Sequence, residues 1–403
     1  MKKFIARQPI FDRRLNAFAY ELLYRGSSDN AFHQADPDQA TYNVLADSLF
    51  LHGLEALTNR RKAFINCTRS VLVNDYATCL PSEVAVAEIL ETVEPDDEVL
   101  EACRRLKQQG YRLALDDVNE AGRVRAFGDL ADFIKVDLPA APPERQQELV
   151  RLGRSLGMQL VAEKVESHQE FRQTVAMGFD YFQGYFFSKP EMISRQEIPA
   201  FQLNYLRILG AVQEPEVNLE EIEKIIKVEE SLCFKLLRYL NSSLFGFRGR
   251  IHSIHHALSL LGEKETRLWV SLAALTSMGD GKPEELVVTS LVRAVWCESL
   301  ASQMGLVRKA DSFLMGLFSL LDAILDQPME TILQQLPIAL HIKSALLQDD
   351  NTFSEILRLV QAYEQGDWAT CAHLAKTLRL EEEGMAETYL QAVEWAQQVF
   401  RSA

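Results

Sequence analysis

The sequence predicts an α/β barrel followed by an all-helical domain, and three observations carry this prediction. Short apolar segments rich in β-formers alternate with longer amphipathic segments in the first half, as in parallel strands joined by helices. Eight strand candidates occur before Lys189-Pro190, which favours a compact TIM-like (β/α)8 barrel over an open sheet. Beyond that point the strand pattern ends and helical segments follow one another. We therefore expect an α/β domain at residues 1–192 and an all-α domain at residues 193–403.

The strand candidates are short apolar runs bounded by turn residues or by amphipathic segments. In chain order they are Phe4–Ile10, Ala17–Arg25, Lys62–Asn66, Val84–Ile89, Tyr111–Asp117, Asp132–Asp137, Met158–Glu163 and Tyr181–Phe187. The segment Phe11–Asn16 is too short to form a helix, so the first strand should pair with the second in an antiparallel hairpin.

The helical candidates have apolar residues at helical spacing, and several of them end before a glycine. Those of the first half include Asp38–His52, Asp96–Gln109, Pro143–Leu156 and His168–Met177. Those of the second half are Ala200–Val212, Leu219–Val228, Glu230–Asn241, Ser253–Leu261, Lys264–Thr276, Pro283–Met304, Ala310–Leu325, Met329–Leu333, Ile338–Leu347, Phe353–Gln365, Trp368–Leu378 and Glu383–Val399.

The composition limits the class of protein and its partners. The 403 residues are 47% hydrophobic and 25% charged, which excludes disorder as the main state. A formal net charge of −15 argues against a protein that coats nucleic acid or anionic lipid, so we expect neither a nucleic acid polymer nor a membrane as partner. The six cysteines are scattered, and no signal peptide or membrane-spanning run is evident, so we expect reduced thiols and a cytoplasmic location.

Polar side chains recur at or near the ends of the predicted strands. They are Glu21, Asn66, Glu88, Asp116, Asp117, Lys135, Asp137, Glu163 and Gln183. The carboxyl ends of parallel strands meet at one mouth of a barrel, where such barrels place their chemistry. Carboxylates gathered there could not all stay ionised without cations, and oxygen ligands suit Mg²⁺ or Mn²⁺. Helix capping would explain any one acid, but it does not require Asn, Lys and Gln at matching positions.

A site of this kind predicts phosphodiester chemistry. Two divalent ions about 3.5–4 Å apart would activate a water molecule and stabilise the leaving oxygen of a phosphodiester. Lys135 would add positive charge for the transition state or the attacking water.

Several motifs of the first half together resemble the EAL domain, a barrel family that binds and hydrolyses cyclic di-GMP. The resemblance runs from about Phe4 to Pro190. Its motifs are Gln8-Pro9-Ile10, Glu21-Leu22-Leu23, Phe64-Ile65-Asn66, Glu88-Ile89-Leu90-Glu91, Asp116-Asp117, Ile134-Lys135-Val136-Asp137, Ala162-Glu163-Lys164-Val165-Glu166 and Gln183-Gly184-Tyr185.

The resemblance implies a role for particular residues. The residues at metal-ligand positions are Glu21, Asn66, Glu88, Asp116, Asp117 and Glu163, which would hold two Mg²⁺ or Mn²⁺ ions. The residues at catalytic positions are Glu21, Lys135, Glu163 and Gln183. Gln8, Arg25 and Glu166 match ligand-binding positions, Gln8 and Arg25 those that contact a base and a phosphate of cyclic di-GMP.

The first half also departs from the family pattern. The name motif Glu-Ala-Leu is Glu21-Leu22-Leu23, the usual Asp-Asp-Phe-Gly-Thr-Gly loop is Asp116–Gly122 with other residues, and Lys164 replaces a glycine. These departures leave a second hypothesis open beside hydrolysis, namely an inactive sensor or scaffold that acts by binding a ligand or a protein.

The second half resembles an HDOD domain, a helical module related to HD phosphohydrolases. The resemblance covers about residues 201–347 through Leu236–Ser243, Arg250–Gly262 and Gly316–Asp322. An HD site needs adjacent His and Asp ligands, and Phe318–Asp322 contains no His, so catalysis is not expected here. The resemblance implies a regulatory module that binds a protein partner, and a homodimer is compatible with it.

Overall fold

A computed structural model describes residues 3–26, 54–190, 200–212, 218–228, 253–279, 281–336, 338–382 and 384–402, with the single positions 232, 236 and 240. The chain divides into two compact units. The barrel unit contains Met1–Phe187 and Arg358–Val393, and the helical unit contains Ser188–Leu357 and Glu394–Ala403.

Within the described residues, eight strands close into a barrel in sequence order. They are β1 (Lys3–Asp12), β2 (Ala17–Gly26), β3 (Lys62–Cys67), β4 (Ala85–Ile89), β5 (Arg112–Leu115), β6 (Phe133–Asp137), β7 (Gln159–Glu163) and β8 (Tyr181–Gln183). β1 is antiparallel to both of its neighbours, β2 and β8, whereas the pairs from β2–β3 to β7–β8 are parallel. The predicted TIM-like barrel with an antiparallel first strand is confirmed.

In the described part of the chain, six helices follow barrel strands, and three of them begin at a side-chain cap that the sequence supplies. The six helices are α1 (Leu54–Thr58), α2 (Arg69–Val73), α3 (Asp97–Gln108), α4 (Ala121–Phe127), α5 (Pro143–Ser155) and α6 (His168–Met177). Asp96 caps α3 by accepting a 2.9 Å hydrogen bond from the backbone N–H of Val99, and Ser167 caps α6 by accepting one from Glu170. The predicted helix Asp38–His52 lies outside the described residues.

Along each strand, the inward-facing positions continue from the apolar core of the barrel to its mouth. One layer of the interior is formed by an apolar cluster to which seven strands contribute one residue each. Its members are Ile10, Ala19, Phe64, Val86, Ala114, Phe133 and Val161. Because every second residue of a strand faces the same side, the next inward position toward the mouth lies two residues away. From β2 to β7 that position holds Glu21, Asn66, Glu88, Asp116, Lys135 and Glu163, of which Asp116 directly follows its strand. In β1, which runs in the opposite direction, it is Gln8.

Two strands end earlier than predicted. β5 ends at Leu115, so Asp116 and Asp117 follow the strand, and β8 ends at Gln183. After β8 the chain turns at Gly184, whose φ is +146°, into a short 3-10 helix, Tyr185–Ser188. A Cβ at Gly184 would lie 2.1 Å from the carbonyl oxygen of Val165, so a residue without a side chain is needed here.

The C-terminal part of the barrel unit consists of helical residues from α15 (Thr352–Glu364), α16 (Trp368–Thr377) and α17 (Met385–Ser402). Tyr363 is fully buried there, with ring-centroid distances of 5.2 Å to Trp368 and 5.0 Å to Tyr389. Its hydroxyl oxygen accepts a 3.2 Å hydrogen bond from the backbone N–H of Ile5 in β1.

The described part of the helical unit contains helices and no strand, which confirms the all-helical prediction there. Its other helices are α7 (Ala200–Ala211), α8 (Leu219–Val228), α9 (Ile254–Met278), α10 (Glu284–Gln303), α11 (Lys309–Phe318), α12 (Leu321–Leu325), α13 (Met329–Gln335) and α14 (Leu340–Leu346). Most of the predicted helix Glu230–Asn241 lies outside the described residues.

The division of the helical unit into helices differs from the prediction at two places. The segments 253–261 and 264–276 join into α9 across a kink at Gly262, whose φ of +76° is not helical. The single predicted helix 310–325 is divided between α11 and α12. Ser319 lies at the division and donates a 2.7 Å hydrogen bond to the carbonyl oxygen of Gly316, so its side chain competes with the backbone ladder.

Candidate functional site

A lysine surrounded by carboxylates forms the centre of the barrel mouth. Nζ of Lys135 lies 3.0 Å from Oε2 of Glu21, 3.0 Å from Oδ1 of Asp116 and 2.9 Å from Oε1 of Glu163. It also contacts Oε1 of Glu88. The side chain of Lys135 is 1% exposed and that of Glu88 is fully buried, so the ion pairs are shielded from solvent. One positive charge therefore faces four acidic groups in a medium of low dielectric constant.

The buried charges shift one another's pKa values. Burial and the neighbouring Glu21 raise the pKa of Glu88 well above its usual value. Burial raises the pKa of Glu163 to about 8 even though Lys135 opposes this. Burial acts against the charged form of Lys135, but the surrounding carboxylates, Glu163 first, hold its pKa well above the usual value. Burial likewise acts against ionised Asp116, but Lys135 keeps the pKa of Asp116 below its usual value.

Amide side chains extend this cluster toward β1. Gln183 donates a 2.7 Å hydrogen bond to Oε2 of Glu21 and a 3.0 Å bond to Oε1 of Gln8. Asn66 donates a longer bond, 3.4 Å, to the other oxygen of Glu21. The predicted residues Gln8, Glu21, Asn66 and Gln183 therefore form one network with the lysine cluster.

A second group of charges lies nearer to the solvent. Lys164 forms ion pairs with Oδ2 of Asp137 and, at 3.5 Å, with Oδ1 of Asp117. Asp117 and Lys164 both adopt positive φ angles, +44° and +55°, so the backbone at Lys164 has the conformation that the family's glycine adopts easily. Burial and the adjacent Asp116 raise the pKa of Asp117, whereas Lys164 opposes the rise.

The structure brings two further residues to the mouth that the sequence did not single out as site residues. Carboxylate oxygens of Glu91, Asp116 and Asp117 lie within 4.8 Å of one another, which is close enough to share a cation. The guanidinium of Arg123 donates hydrogen bonds to the carbonyl oxygens of the segment after β4, at 2.6 Å to Leu90 and 2.9 Å to Glu91. Arg123 directly follows the altered loop Asp116–Gly122, and its hydrogen bonds hold the segment after β4 in place at the mouth. Glu91 is part of the motif Glu88-Ile89-Leu90-Glu91, which is the feature of the sequence that could have indicated its place at the mouth.

The other two predicted ligand-binding residues are Glu166 and Arg25. Glu166 is exposed at the start of the segment before α6, where its backbone N–H donates a 2.7 Å hydrogen bond to Glu170. Arg25 lies near the end of β2, paired with Phe4 of β1, and its side chain is outside the described part.

The residues of the mouth fit a divalent cation. Oε2 of Glu88 and Oε2 of Glu163 are buried and receive no hydrogen bond from the described residues, and the same holds for the amide oxygen of Gln183. Buried oxygens without a donor are costly in a folded protein, and a hard cation with oxygen ligands would remove that cost. Carboxylate and amide oxygens favour Mg²⁺, Mn²⁺ or Ca²⁺ over metals that prefer thiolates.

Comparison with known proteins identifies both halves of the chain. The EAL domain model matches residues 8–190, and the HDOD domain model matches residues 198–336. A Bacillus subtilis protein of unassigned function, YuxH, is 34% identical over 98% of both chains. This chain belongs to the EAL–HDOD family. A second relative, the Vibrio cholerae cyclic di-GMP phosphodiesterase CdgJ, is 34% identical over 99% of this chain and 93% of its own.

Two solved structures are each similar to slightly less than half of this EAL–HDOD protein. A standalone EAL protein from Vibrio cholerae O395 with bound cyclic di-GMP is 26% identical, covering 46% of this chain and 91% of its own, with a TM-score of 0.34. BlrP1 of Klebsiella pneumoniae, in a complex with calcium and cyclic di-GMP, is 23% identical, covering 47% of this chain and 56% of its own, with a TM-score of 0.38.

Proposed function

We propose that this EAL–HDOD protein hydrolyses cyclic di-GMP to linear pGpG at the mouth of its barrel. The observation that carries the proposal is the buried cluster of Glu21, Glu88, Asp116 and Glu163 around Lys135, in which two carboxylate oxygens receive no hydrogen bond from the described residues. The name of the Vibrio cholerae relative, a cyclic di-GMP phosphodiesterase, supports the choice of substrate.

The reaction is the hydrolysis of one of the two phosphodiesters of the cyclic dinucleotide. The oxygen of a water molecule bonds to phosphorus, and the bond from phosphorus to one ribose oxygen breaks. The water loses a proton and the ribose oxygen gains one, so that the linear product carries one new terminal phosphate.

Two Mg²⁺ or Mn²⁺ ions, when bound, would lower the pKa of the attacking water and offset charge on the phosphate. The ligands proposed for them are Glu21, Asn66, Glu88, Asp116, Asp117 and Glu163. Lys135 is held at the centre of the cluster as a protonated ammonium, so it can donate to the attacking water or to a phosphate oxygen. Gln183 orients Glu21 through their 2.7 Å hydrogen bond. Gln8, Arg25 and Glu166 are the residues proposed to contact the rest of the ligand.

A second candidate function is a sensor or scaffold that binds without hydrolysis. Lys164 favours it, because its ammonium pairs with Asp137 and Asp117 where the family has a glycine. That ammonium lowers the negative charge available to a second cation. In this case the barrel would retain a ligand and a single cation, and the helical half would pass the bound state to a protein partner.

Other expectations about the whole chain stay predictions. They are a domain boundary near residue 192, a protein partner for the HDOD half, a homodimer and a cytoplasmic location. Among the described residues, no helix combines the length and the apolar character that crossing a bilayer requires.

The test is a turnover assay on the purified full chain with Mg²⁺ or Mn²⁺, in which chromatography detects linear pGpG. Replacing Glu21 by Ala removes a residue that contacts Lys135, Gln183 and Asn66, so we expect turnover to fall by about 10²–10³-fold or more. Asp129→Ala is the matched control, because it removes an exposed carboxylate from the same barrel and should leave turnover unchanged.

No product over hours at high enzyme concentration would reject hydrolysis. If calorimetry then detects cyclic di-GMP binding to the same sample, the sensor function replaces it. If the chain binds neither cyclic di-GMP nor a divalent ion, only a scaffold function is left.

A further inference from the structure

A turn from the C-terminal part of the barrel unit lies against the barrel mouth. The turn Glu364–Gly366 starts at the last residue of α15 and precedes α16, and neither the EAL nor the HDOD match includes it. It lies against Gln8 of β1, Leu23 of β2 and Tyr185 of the 3-10 helix that follows β8. The contacts therefore cover one continuous sector of the rim.

On the β1 side, carbonyl oxygens of the turn accept hydrogen bonds from the side-chain amide of Gln8. Nε2 of Gln8 lies 3.4 Å from the carbonyl oxygen of Glu364 and 3.4 Å from that of Gln365. The same nitrogen donates a 3.1 Å hydrogen bond to the hydroxyl of Tyr185, and Oε1 of Gln8 accepts from Gln183. Both ends of the Gln8 amide are therefore engaged within the protein.

On either side of Gln8 the turn lies close to the side chains of Tyr185 and Leu23. Tyr185, just after β8, donates a 2.9 Å hydrogen bond to the carbonyl oxygen of Glu364. A Cβ built on Gly366 would lie 3.0 Å from Cδ1 of Leu23. Leu23 is the next residue after Glu21 on the same face of β2, so Gly366 lies at the rim beyond the carboxylate cluster.

We propose that the turn Glu364–Gly366 competes with a ligand base for Gln8, so that the base of cyclic di-GMP binds only when the turn moves away from the rim. This inference rests on the proposed function, in which Gln8 contacts a base. An amide has two N–H donors, and those of Gln8 already have three acceptor oxygens within 3.4 Å. A base that hydrogen-bonds to Gln8 has to replace them.

The contacts are stronger at Tyr363 than between the turn and Gln8. This difference would allow the turn Glu364–Gly366 to move while Tyr363 stays in place. Tyr363, directly before the turn, is anchored by burial and by the N–H of Ile5. The turn also holds its own shape, because the N–H of Asp367 donates a 2.9 Å hydrogen bond to the carbonyl oxygen of Ala362. The two contacts to Gln8, at 3.4 Å, lie at the long end of the hydrogen-bond range and are the weak part of the arrangement.

The first experiment uses Gly366→Val in the full chain. The added side chain meets Leu23 and is placed on a residue whose φ is +70°, so it should push the tip off the rim. Gly384→Val is the matched control, because Gly384 has a φ of +92° in the same C-terminal part and a Cβ there would meet no atom within 4 Å. Both variants carry backbone strain, but only the first disturbs the contact with the barrel.

The readout is the Kd for cyclic di-GMP by calorimetry, with Ca²⁺ as the divalent ion and under conditions in which chromatography finds no product. We expect Gly366→Val to bind cyclic di-GMP about tenfold more tightly than the wild type. The ligand base would then no longer have to replace the hydrogen bond between Gln8 and the turn, and a tenfold change is about the contribution of one hydrogen bond. Gly384→Val should bind like the wild type. A folded Gly366→Val protein with a Kd within about twofold of the wild type would overturn the inference.

A second variant works in the opposite direction and decides the matter if Gly366→Val does not fold. The double variant Leu23→Cys with Gly366→Cys would fix the turn to β2 when the two thiols are oxidised to a disulfide. We expect the oxidised double variant to bind cyclic di-GMP at least about tenfold more weakly than the same protein after reduction. Equal binding in both redox states overturns the inference.

The outcomes separate this inference from the proposed function. Binding by the wild type with no effect of either variant rejects the competing turn alone. Absence of cyclic di-GMP binding in the wild type and in every variant rejects the proposed function, and the competing turn with it.

Discussion

Nζ of Lys135 lies 2.9 Å from Oε1 of Glu163, and both side chains are shielded from solvent in the centre of the barrel mouth. Three further carboxyl groups, of Glu21, Glu88 and Asp116, contact the same ammonium. Burial raises the pKa of Glu163 to about 8, because a single lysine shared by four acids does not offset the cost of burying the ionised carboxylate. The carboxyl group of Glu163 therefore loses its proton only at about pH 8, unless a bound cation supplies further positive charge.

The first prediction concerns pH and metal. The pKa of Glu163 is about 8 in the folded chain and 4.5 when unperturbed, so between these values the folded state binds more protons than the unfolded state. The stability that Glu163 contributes is then lost as pH rises through this window. In EDTA, the melting temperature should fall from about pH 5.5 to about pH 8. Mn²⁺ requires the ionised carboxylate, so it should raise the melting temperature more at the higher pH.

Glu163→Gln provides the control for this prediction. The amide does not titrate, so the fall in melting temperature should become shallower and the stabilisation by Mn²⁺ should decrease. A wild type whose Mn²⁺ stabilisation is equal at both pH values would contradict the assignment of Glu163 as a buried proton-binding ligand.

The second prediction concerns the central lysine. Replacing Lys135 by Met removes the cation from four buried acids, and we expect the free energy of unfolding in EDTA to fall by about 3–5 kcal/mol. Denaturant titration measures this change. Addition of Mn²⁺ should recover part of the loss, because the metal takes over the role of counter-charge.

Lys164→Met is the comparison, since Lys164 also pairs with two acids at the mouth but is half exposed. Its loss should cost less than about 1 kcal/mol, as is typical of exposed ion pairs. Equal costs for the two variants would mean that burial does not control the energetics of the mouth.

The sequence predicted the fold well because the barrel depends on local patterns. Short apolar runs identify the strands, and a two-residue step from the interior residues Phe64, Val86 and Val161 leads to Asn66, Glu88 and Glu163. The short connection at Phe11–Asn16 similarly predicted the antiparallel first strand, which β1 confirms.

Other features could not be predicted from the sequence because they depend on contacts between distant segments. Glu364 approaches Gln8 across a separation of more than three hundred residues, and no local pattern marks that contact. The hydrogen bonds of Arg123 to the segment after β4 are of the same kind. The end of β8 was placed too late, because the apolar residues Tyr185–Phe187 continue the strand pattern into a 3-10 helix.

The third prediction concerns metal binding near Lys164. Lys164→Gly restores the family's residue at a φ of +55° and removes the ammonium from Asp137 and Asp117. Calorimetry should detect tighter binding of Mn²⁺, by about three- to tenfold, because the carboxylates no longer have an internal counter-ion. Lys164→Arg retains the charge and should bind Mn²⁺ like the wild type. If the Gly variant binds no more tightly than the Arg variant, Lys164 does not compete with the metal.

The fourth prediction concerns the turn that follows Gln183. Replacing Gly184 by Ala would place a Cβ 2.1 Å from the carbonyl oxygen of Val165, on a residue whose φ is +146°. Either the turn or the segment at Val165 must move, so we expect the free energy of unfolding to fall by about 3 kcal/mol in denaturant titration. Because Gln183 directly precedes the turn and donates to Glu21, turnover of the folded fraction should fall as well.

Gly157→Ala separates the close approach from the backbone conformation. Gly157 has a φ of +74°, and a Cβ there would meet no atom within 4 Å, so only the conformational cost of about 1 kcal/mol should appear. Turnover should not change, because Gly157 lies at the end of α5, away from the carboxylate cluster. A Gly184→Ala protein as stable and as active as Gly157→Ala would mean that the turn after β8 tolerates a side chain, and that Gln183 is not held in place by the contact between Gly184 and Val165.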